Sequence, residues 1–177
     1  MEWVKFLDLE HGNLNYPQKF PMPTVPHFLM YISDNRFQHH VKLTLDSIVN
    51  RGLYDHLDGG FFRYCVDKEW HIPHFEKMLY DQAMISIAYL EAFEATKNEK
   101  YAAIVEEIFL YVIRDMLNEE GGFFSAEDAD SEGEEGTFYI WEFEEIINIL
   151  DQGKGKEFCD IFGIKQGGNF LDEATGQ

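Results

Sequence analysis

A short glycine-aromatic sequence occurs twice in this chain, each time after a helix-like segment. Gly59-Gly60-Phe61-Phe62 recurs as Gly121-Gly122-Phe123-Phe124, at an offset of 62 residues. Repeats of this kind are typical of folds in which successive supersecondary units stack on one another. Because both copies follow a segment with helical periodicity, the repeat predicts an all-α array of helical hairpins joined by short Gly-Gly-aromatic turns.

Apolar residues recur at three- and four-residue steps in four segments, which indicates amphipathic helices. Gly52 is expected to stop the first helix, Pro73 to begin the second, and Asn98 to separate the second from the third. The predicted helices cover residues 36–53, 74–97, 99–117 and 142–151.

The segments between these helices carry turn and strand signals. Four of the five prolines lie within residues 11–27, which therefore read as an extended loop. Further predictions are the end of a helix over residues 1–10, a hairpin over 58–64, a short strand over 137–141, and a short helix with a loosely held end from residue 152.

Composition limits the class of protein. The chain has 177 residues, 45% of them apolar, and this suffices for one globular domain, predicted to span residues 1–177. The formal net charge is −19, and the stretch from Glu119 to Glu145 holds eleven acids and no Lys or Arg. A surface of this sign repels phosphate backbones and anionic lipids, so we expect no nucleic-acid partner and no membrane association. Cys65 and Cys159 form no CxxC pair, and no apolar leader is present, which predicts a cytoplasmic protein.

Residues 70–83 concentrate the ionisable side chains. On the predicted helix, His74, Lys77 and Asp81 fall on one face, and Glu76 and Tyr80 fall on a neighbouring face. A helix N-terminus carries partial positive charge and free N–H groups, so this end could bind an anion or a sugar oxygen. The alternative is a solvated surface with no ligand.

The acidic loop of residues 125–136 is the second candidate. Asp128, Asp130, Glu132 and Gly133 fall on positions one, three, five and six of an EF-hand calcium loop, but the final ligand position holds Tyr139. Calcium binding, a solvated acidic turn, and a pair of carboxylates projecting into a cleft are therefore the three alternatives. We predict no metal site and no cofactor, because zinc, nucleotide and dinucleotide motifs do not occur in the sequence.

Glycoside hydrolysis needs two carboxyl groups on opposite sides of a sugar, whereas epimerisation needs bases on both faces of the ring. His71 and His74 are the candidate bases for epimerisation, and aromatic rings would stack on the sugar. The predicted catalytic residues are His74, Glu76, Asp81, Asp128 and Asp130. The predicted substrate-binding residues are Arg63, Tyr64, Trp70, His71, Lys77, Tyr80 and Trp141.

Three long motifs, in this order, resemble the spermatogenesis-associated protein 20 / YyaL-like family. They are His56-Leu57-Asp58-Gly59-Gly60-Phe61-Phe62-Arg63-Tyr64, the run from Trp70 to Ala83 (WHIPHFEKMLYDQA), and the run from Asp128 to Trp141 (DADSEGEEGTFYIW). The resemblance covers roughly residues 12 to 171. It departs from the family before Lys19-Phe20-Pro21, where family members tend to have a glycine-rich turn.

The resemblance implies a six-hairpin glycosidase-like (α/α) toroid, related in fold to N-acylglucosamine 2-epimerases. Family members usually carry a thioredoxin-like domain ahead of the toroid. The 177 residues contain no CxxC pair, and we expect them to be a fragment of the toroid.

The family's reaction is not settled, so the resemblance leaves two hypotheses open. One is a carbohydrate-active toroid that hydrolyses or epimerises a sugar in a central acidic and aromatic cleft. The other is a non-catalytic binding or scaffold module, in which uncovered apolar helix faces pair with a partner or with a second copy.

Overall fold

Helices and three small two-stranded sheets make up the computed structural model, which describes residues 2–168. The chain forms two compact units, residues 1–136 and 137–177, and each is described by itself. The prediction of one domain over residues 1–177 stays a prediction, and the predicted loose end beyond residue 168 lies outside the described residues.

The first unit contains four α-helices, a short 3₁₀-helix and a π-helical turn. In chain order they are the 3₁₀-helix Glu2–Phe6, α1 (Thr24–Met30), α2 (Asn35–Asn50), α3 (Leu79–Thr96), α4 (Glu99–Tyr111) and the π-helical turn Val112–Met116. The strands are β1 (Tyr64–Cys65), β2 (Pro73–His74), β3 (Lys77–Met78), β4 (Ala126–Glu127), β5 (Asp130–Ser131) and β6 (Glu134–Glu135), paired β1–β2, β3–β4 and β5–β6, all antiparallel. None of the helices within residues 2–168 is long and apolar enough to cross a membrane.

Local signals set the ends of α2, α3 and α4. Asp34 caps α2, since its carboxylate accepts the Arg36 N–H at 2.9 Å. Between α3 and α4, Lys97 takes a left-handed conformation and Asn98 caps α4 by accepting the Lys100 N–H. The predicted break at Asn98 is therefore confirmed. The buried side chains Phe37, Val41, Leu45, Ile48, Ile85, Tyr89, Tyr101 and Ile108 form much of the core between these helices.

Two predicted helix boundaries are wrong. Helix α3 begins at Leu79, not near residue 74, because residues 73–74 and 77–78 pair with β1 and β4 instead of joining the helix. The apolar periodicity of residues 74–97 predicts one continuous helix, but pairing with strands elsewhere in the chain overrides that pattern at its start. Helix α2 ends at Asn50, before Gly52, and the reason for the glycine is spatial: a Cβ there would lie 2.0 Å from the His71 carbonyl oxygen.

The proline-rich loop is shorter than predicted, because α1 begins at Thr24 inside it. Pro26 lies in the first turn of α1, where a missing N–H breaks no helical hydrogen bond.

The second unit contains α5 (Phe143–Phe162), which is broken at Asp151, where φ is +66°. The Asp151 carboxylate accepts the N–H groups of Gly153 and Lys154, so it caps the second part of the helix. This confirms a helix ending near residue 151, followed by a further short helix. The strand predicted over residues 137–141 is wrong: among the described residues this segment has no strand partner, and Phe138 and Ile140 are largely exposed.

The repeated turn is a structural unit, and it occurs three times. Single antiparallel bridges close the turns at Leu7–Leu14, Tyr54–Phe61 and Leu117–Phe123. Each turn starts with a side-chain acceptor for the backbone N–H groups that follow, and each contains a glycine at positive φ. The acceptors are Asp8, Asp55 and Asn118, and the glycines are Gly12, Gly59 and Gly121, with φ of +84°, +80° and +85°.

A buried lysine closes two of these three turns. Lys19 Nζ donates to Asp8 Oδ2 at 2.7 Å and to the carbonyl of Gly12 at 2.9 Å. Lys77 Nζ donates to Asp55 Oδ2 at 2.8 Å and to the carbonyl of Gly59 at 2.9 Å. Both lysines are 1% exposed.

Candidate functional site

The two chemistry-rich stretches of the sequence lie against each other. Strand β3 pairs with β4, which places Lys77 opposite Glu127 and Met78 opposite Ala126. The first N–H of α3, that of Leu79, donates to the carbonyl of Ser125 at 3.0 Å. The start of α3 and the start of the acidic loop are therefore neighbours, although about fifty residues of chain separate them.

Arg63 and Glu76 form a partly exposed ion pair beside the start of α3. Arg63 Nη1 donates to Glu76 Oε2 at 2.7 Å, and the Arg63 N–H donates to the Glu76 carbonyl at 2.8 Å. The Glu76 carboxylate, followed by the charge of Tyr80, raises the pKa of the Arg63 guanidinium. Two links, one from the side chain and one from the backbone, hold this pair in place.

Asp81 is a buried carboxyl group in the first turn of α3, with 7% of the residue exposed. Burial raises the pKa of Asp81 to about 7, and the Glu76 charge adds to this shift while Arg63 opposes it. A carboxyl group with this pKa is present in both protonation states near neutral pH. It can therefore give or accept a proton under those conditions.

His74 is the second residue of β2. Its ring stacks on Tyr64 with centroids 4.8 Å apart, and its Nε2 lies 3.4 Å from Glu135 Oε1. Glu135 belongs to β6, so His74 connects the β1–β2 hairpin to the acidic β5–β6 hairpin.

Arg63, Glu76 and Asp81 interact with one another, and His74 lies two residues before Glu76; these four residues are named the polar cluster. Three of its atoms, Arg63 Nε, His74 Nδ1 and Asp81 Oδ2, are buried and have no hydrogen-bond partner in the described protein. Only five side-chain atoms in the described part of the chain share this property. Buried polar atoms without a partner are rare in folded proteins and costly to stability, so the cluster has unused hydrogen-bonding capacity.

The structure places Lys77 away from any ligand surface. Its ammonium is enclosed by Asp55 and the Gly59 carbonyl, and it lies over the rings of Phe62 and Tyr111 at 5.0 and 4.6 Å from their centroids. The prediction that His74, Lys77 and Asp81 share a helix face is therefore wrong, since the first two lie on strands. The environment of Lys77 fits a structural cation and not a substrate-binding one.

Trp70 and His71 lie in the segment that precedes β2. Trp70 is fully buried, and its Nε1–H donates to the His11 carbonyl at 2.8 Å, so its ring offers no exposed face for stacking. His71 is exposed, and its backbone N–H donates to the Asp67 carboxylate. Neither placement supports the predicted stacking or base role.

Asp128 and Asp130 are exposed residues of the acidic loop. Asp128 Oδ1 accepts the Asp130 N–H at 3.1 Å, and residues 130–135 form the β5–β6 hairpin with Glu132 and Gly133 at positive φ in its turn. An EF-hand requires a helix-flanked loop, so this hairpin does not support the calcium alternative. Within the described residues no group of three His, Cys, Asp or Glu side chains is arranged to hold a metal ion.

Tyr80 and Trp141 are the remaining predicted binding residues. Tyr80 follows the first residue of α3, is half exposed, and acts electrostatically on Arg63, which places it at the edge of the polar cluster. Trp141 belongs to the second unit, where 47% of the residue is exposed.

Curated proteins of similar sequence identify the chain's relatives, although no protein-family model matches it. Spermatogenesis-associated protein 20 of Mus musculus is 41% identical over 159 residues, which is 82% of this chain and 20% of the relative. The Homo sapiens protein of the same name is 36% identical over an alignment of 185 residues, 92% of this chain and 24% of the relative. The chain is homologous to spermatogenesis-associated protein 20. It spans about a fifth to a quarter of the length of these relatives.

Solved structures show which fold this chain adopts. A sugar epimerase from a ruminal bacterium matches 90% of the chain with a TM-score of 0.63 and 17% identity, over 49% of its own length. Cellobiose 2-epimerase from Spirochaeta thermophila matches 91% with a TM-score of 0.59 and 14% identity, over 47% of its length. The GH76 α-mannanase BT2949 of Bacteroides thetaiotaomicron matches 84% with a TM-score of 0.54 and 13% identity, over 43% of its length. The chain has the fold of part of an (α/α) toroid, as its sequence predicts.

Sequence reasoning missed several polar residues that this homologue of spermatogenesis-associated protein 20 uses. Asp55 forms an ion pair with Lys77, and Glu135 lies opposite His74. The Asp8–Lys19 pair was missed as well. The sequence does indicate that Asp8 and Asp55 begin turns, since each stands four residues before a turn glycine. The pairing of each aspartate with a distant lysine, however, leaves no local pattern.

Proposed function

We propose that this chain contributes a sugar-binding wall to a carbohydrate-active (α/α) toroid, with the polar cluster as the binding site and Asp81 as the proton-transfer group. The observation that carries the proposal is the set of unpaired buried atoms on Arg63, His74 and Asp81. The fold of the solved sugar epimerases and of the mannanase is consistent with it, but at 13–17% identity it supports the fold alone.

The unpaired atoms define the ligand chemistry. Arg63 Nε can only donate a hydrogen bond, whereas Asp81 Oδ2 and His74 Nδ1 accept or donate according to their protonation. A hydroxyl group donates one hydrogen bond and accepts others, so a hydroxyl-rich ligand offers a suitable partner for each of these atoms. Sugars are ligands of this kind.

The charges at the cluster favour a neutral sugar over a phosphorylated one. Glu76 already neutralises the Arg63 guanidinium, and Glu135 faces His74. A phosphate group would bring negative charge next to these carboxylates and would find no unpaired cation to offset it. We therefore expect affinity for uncharged hexoses.

The reaction that best fits the cluster is proton transfer at a sugar carbon, as in epimerisation or isomerisation. A group with a pKa near the working pH serves as acid and base with similar ease, and burial gives Asp81 such a pKa, about 7. His74, on the neighbouring hairpin, is the second candidate for this role. Glycoside hydrolysis, with Asp81 as the acid and Glu76 as its ionised partner, is the alternative.

Titration of the 177-residue chain with glucose, mannose and cellobiose, followed by calorimetry or NMR, tests the binding proposal. We expect millimolar or tighter binding of at least one sugar and at least a tenfold loss of affinity in Asp81→Asn. Glu94→Gln is the matched control, because Glu94 is an exposed residue near the opposite end of α3. Absence of binding to every sugar, or equal affinity of the two variants, would overturn the proposal.

Product analysis separates the two reactions. Incubation with each sugar and chromatography of the mixture will show either a new epimer or isomer, or monosaccharides released from cellobiose. An epimer whose formation depends on Asp81 supports proton transfer at carbon. Release of glucose without an epimer would replace it with hydrolysis.

We also propose self-association through an apolar surface as a second function, because α4 and the π-helical turn expose three large apolar side chains. Phe109, Leu110 and Ile113 are 53%, 66% and 59% exposed, which is unusual for a helix face in a monomer. Light scattering coupled to size-exclusion chromatography should show a dimer that dissociates in the variant Leu110→Glu. A monomer at all concentrations would contradict this function.

We further propose a cytoplasmic location. Cys65 and Cys159 are both buried free thiols, as is usual in a reducing compartment. Fractionation of cells that express the tagged chain tests this, and recovery with secreted protein would refute it.

A further inference from the structure

We propose that His40 is an acid-sensitive switch, in which protonation of the buried ring opens the turn closed by the Leu7–Leu14 bridge and releases the loop that follows this turn. The switch is independent of the proposed sugar site. Its basis is a buried imidazole that holds a backbone carbonyl with one ring nitrogen and has no hydrogen-bond partner for the other among the described residues.

The contacts of His40 fix which nitrogen carries the proton. His40 lies on α2 and is 2% exposed, so its ring is almost completely removed from water. Its Nε2 lies 3.1 Å from the carbonyl oxygen of Asn13. A carbonyl oxygen only accepts hydrogen bonds, so Nε2 carries the proton and Nδ1 of the neutral ring keeps its lone pair. A second proton can therefore bind only at Nδ1, where no described group accepts its hydrogen bond.

The charged groups around His40 do not compensate a buried imidazolium. Burial is the largest influence and lowers the pKa of His40 from its ordinary value of 6.5. The backbone hydrogen bond of the ring and the Asp8 carboxylate oppose this shift, whereas Lys19 and His39 add to it. The Asp8 carboxylate is already engaged, because its Oδ2 accepts from Lys19 Nζ at 2.7 Å and lies 3.3 Å from His11 Nδ1. Protonation therefore favours a state in which the His40 ring reaches water.

Release of the His40 ring removes a contact from Asn13, on which the turn and the following loop depend. Asn13 has a φ of +59°, which is uncommon for a residue other than glycine. Its N–H donates to Thr44 Oγ1 at 2.7 Å, and its Nδ2 donates to the carbonyl of Phe20 at 3.1 Å and to that of the next residue. The position of residues 13–21 is therefore linked to the protonation of one histidine.

The loop that Asn13 holds extends to the candidate site. Phe20 stacks on Tyr64 with ring centroids 4.6 Å apart, and Tyr64 also stacks on His74, at 4.8 Å. An opened turn removes one support of the Tyr64 ring. Acid pH is therefore expected to loosen the packing around His74.

Native-state hydrogen exchange at pH 7.5 and pH 5.5 tests the switch. The Asp8 N–H donates to the Asn13 carbonyl, so the amides of Asp8 and Asn13 both report on the turn. The opened turn binds a proton on His40 that the closed turn excludes, so the closed form loses stability as the pH falls through 6.5. Since one proton is involved, we expect the protection factors of these two amides to fall by about three- to tenfold between the two pH values. The amide of Ile108, in α4, should keep its protection.

His40→Gln is the decisive variant, because its carboxamide keeps a donor for the Asn13 carbonyl and does not titrate. Its protection factors in the turn should change by less than about twofold between the two pH values. His39→Gln is the matched control, since His39 is the exposed neighbour on the same helix. This control should keep the pH dependence of the wild type.

Three results would overturn the switch. They are constant protection of the turn amides in the wild type, a fall of the same size in His40→Gln, and an equal fall at Ile108, which would show that opening is not confined to the turn. The imidazole nitrogen NMR spectrum of the wild type provides a further test without any variant. The switch requires His40 to be protonated at Nε2 and unprotonated at Nδ1 at pH 7.5, and the opposite tautomer would refute it.

Discussion

The substitution Asp81→Asn should make the protein more stable at alkaline pH. Asp81 is 7% exposed, and its Oδ2 has no hydrogen-bond partner in the described protein. An ionised carboxylate in this position is largely removed from solvent and has no ion-pair partner among residues 2–168, whereas a neutral carboxyl or carboxamide costs less to bury. The carboxamide introduced by the substitution resembles the protonated acid in size and charge.

The size of the effect follows from the pKa of Asp81, which burial raises from 3.8 to about 7 on folding. Between these values the folded state binds the proton and the unfolded state does not, so stability is complete below pH 3.8 and declines as the pH rises through 7. At about 1.4 kcal/mol for each pH unit of difference, the loss reaches up to about 4 kcal/mol. The carboxamide does not titrate and escapes this loss.

Urea unfolding at a series of pH values between 4 and 9 measures this difference. The free energies of unfolding of the wild type and Asp81→Asn should be similar at pH 4 and should diverge as the pH rises, with the variant the more stable. Asp128→Asn, at an exposed position, is the control and should follow the wild type. If Asp81→Asn and the wild type change in parallel across the range, the reasoning from burial is refuted.

Four further substitutions probe the turns and the core. Asp55→Asn should lower the free energy of unfolding by about 3–5 kcal/mol in denaturant titrations, because it leaves the Lys77 ammonium buried without a counter-ion. A loss below about 1 kcal/mol would show that the ion pair contributes little to stability. Gly60→Val should lower the free energy of unfolding by more than about 3 kcal/mol, since φ is +78° and a Cβ would lie 2.6 Å from a ring carbon of Tyr111. Gly121→Ala should lower it by only about 1–2 kcal/mol, because a Cβ there meets nothing within 4 Å. Equal losses for the two variants would exclude the steric explanation. Trp70→Phe should cost about 1–3 kcal/mol by leaving a buried backbone carbonyl without its donor, and an unchanged melting temperature would contradict this.

The helices and turns could be predicted because their signals are local. The Asn98 break, the segment that ends near residue 151, and the equivalence of the two Gly-Gly-aromatic turns all follow from residues within a few positions of one another. The third copy of the turn, at residues 8–13, escaped notice because Gly12 is followed by Asn13, which takes the left-handed conformation that a second glycine supplies at Gly60.

The wrong start of α3 has one physical origin, which is pairing between distant segments. Residues 73–78 follow a helical pattern, yet β1 and β4 supply their hydrogen bonds, and neither strand is visible from that stretch alone. The candidate site shows the same limit. The sequence grouped Arg63, His74 and Asp81 as candidate residues of one region, but it carries no local signal for the burial that raises the pKa of Asp81.

The lysine-closed turns constrain how this region can change in evolution. Loss of either Asp55 or Lys77 alone leaves an uncompensated charge in the core, whereas replacement of both by uncharged residues does not. Asn118 shows the uncharged version: its amide oxygen organises the same kind of turn, and no lysine bonds to it among residues 2–168. Charge at these turns is therefore expected to appear and disappear in pairs, so that two residues far apart in the chain are inherited as one unit.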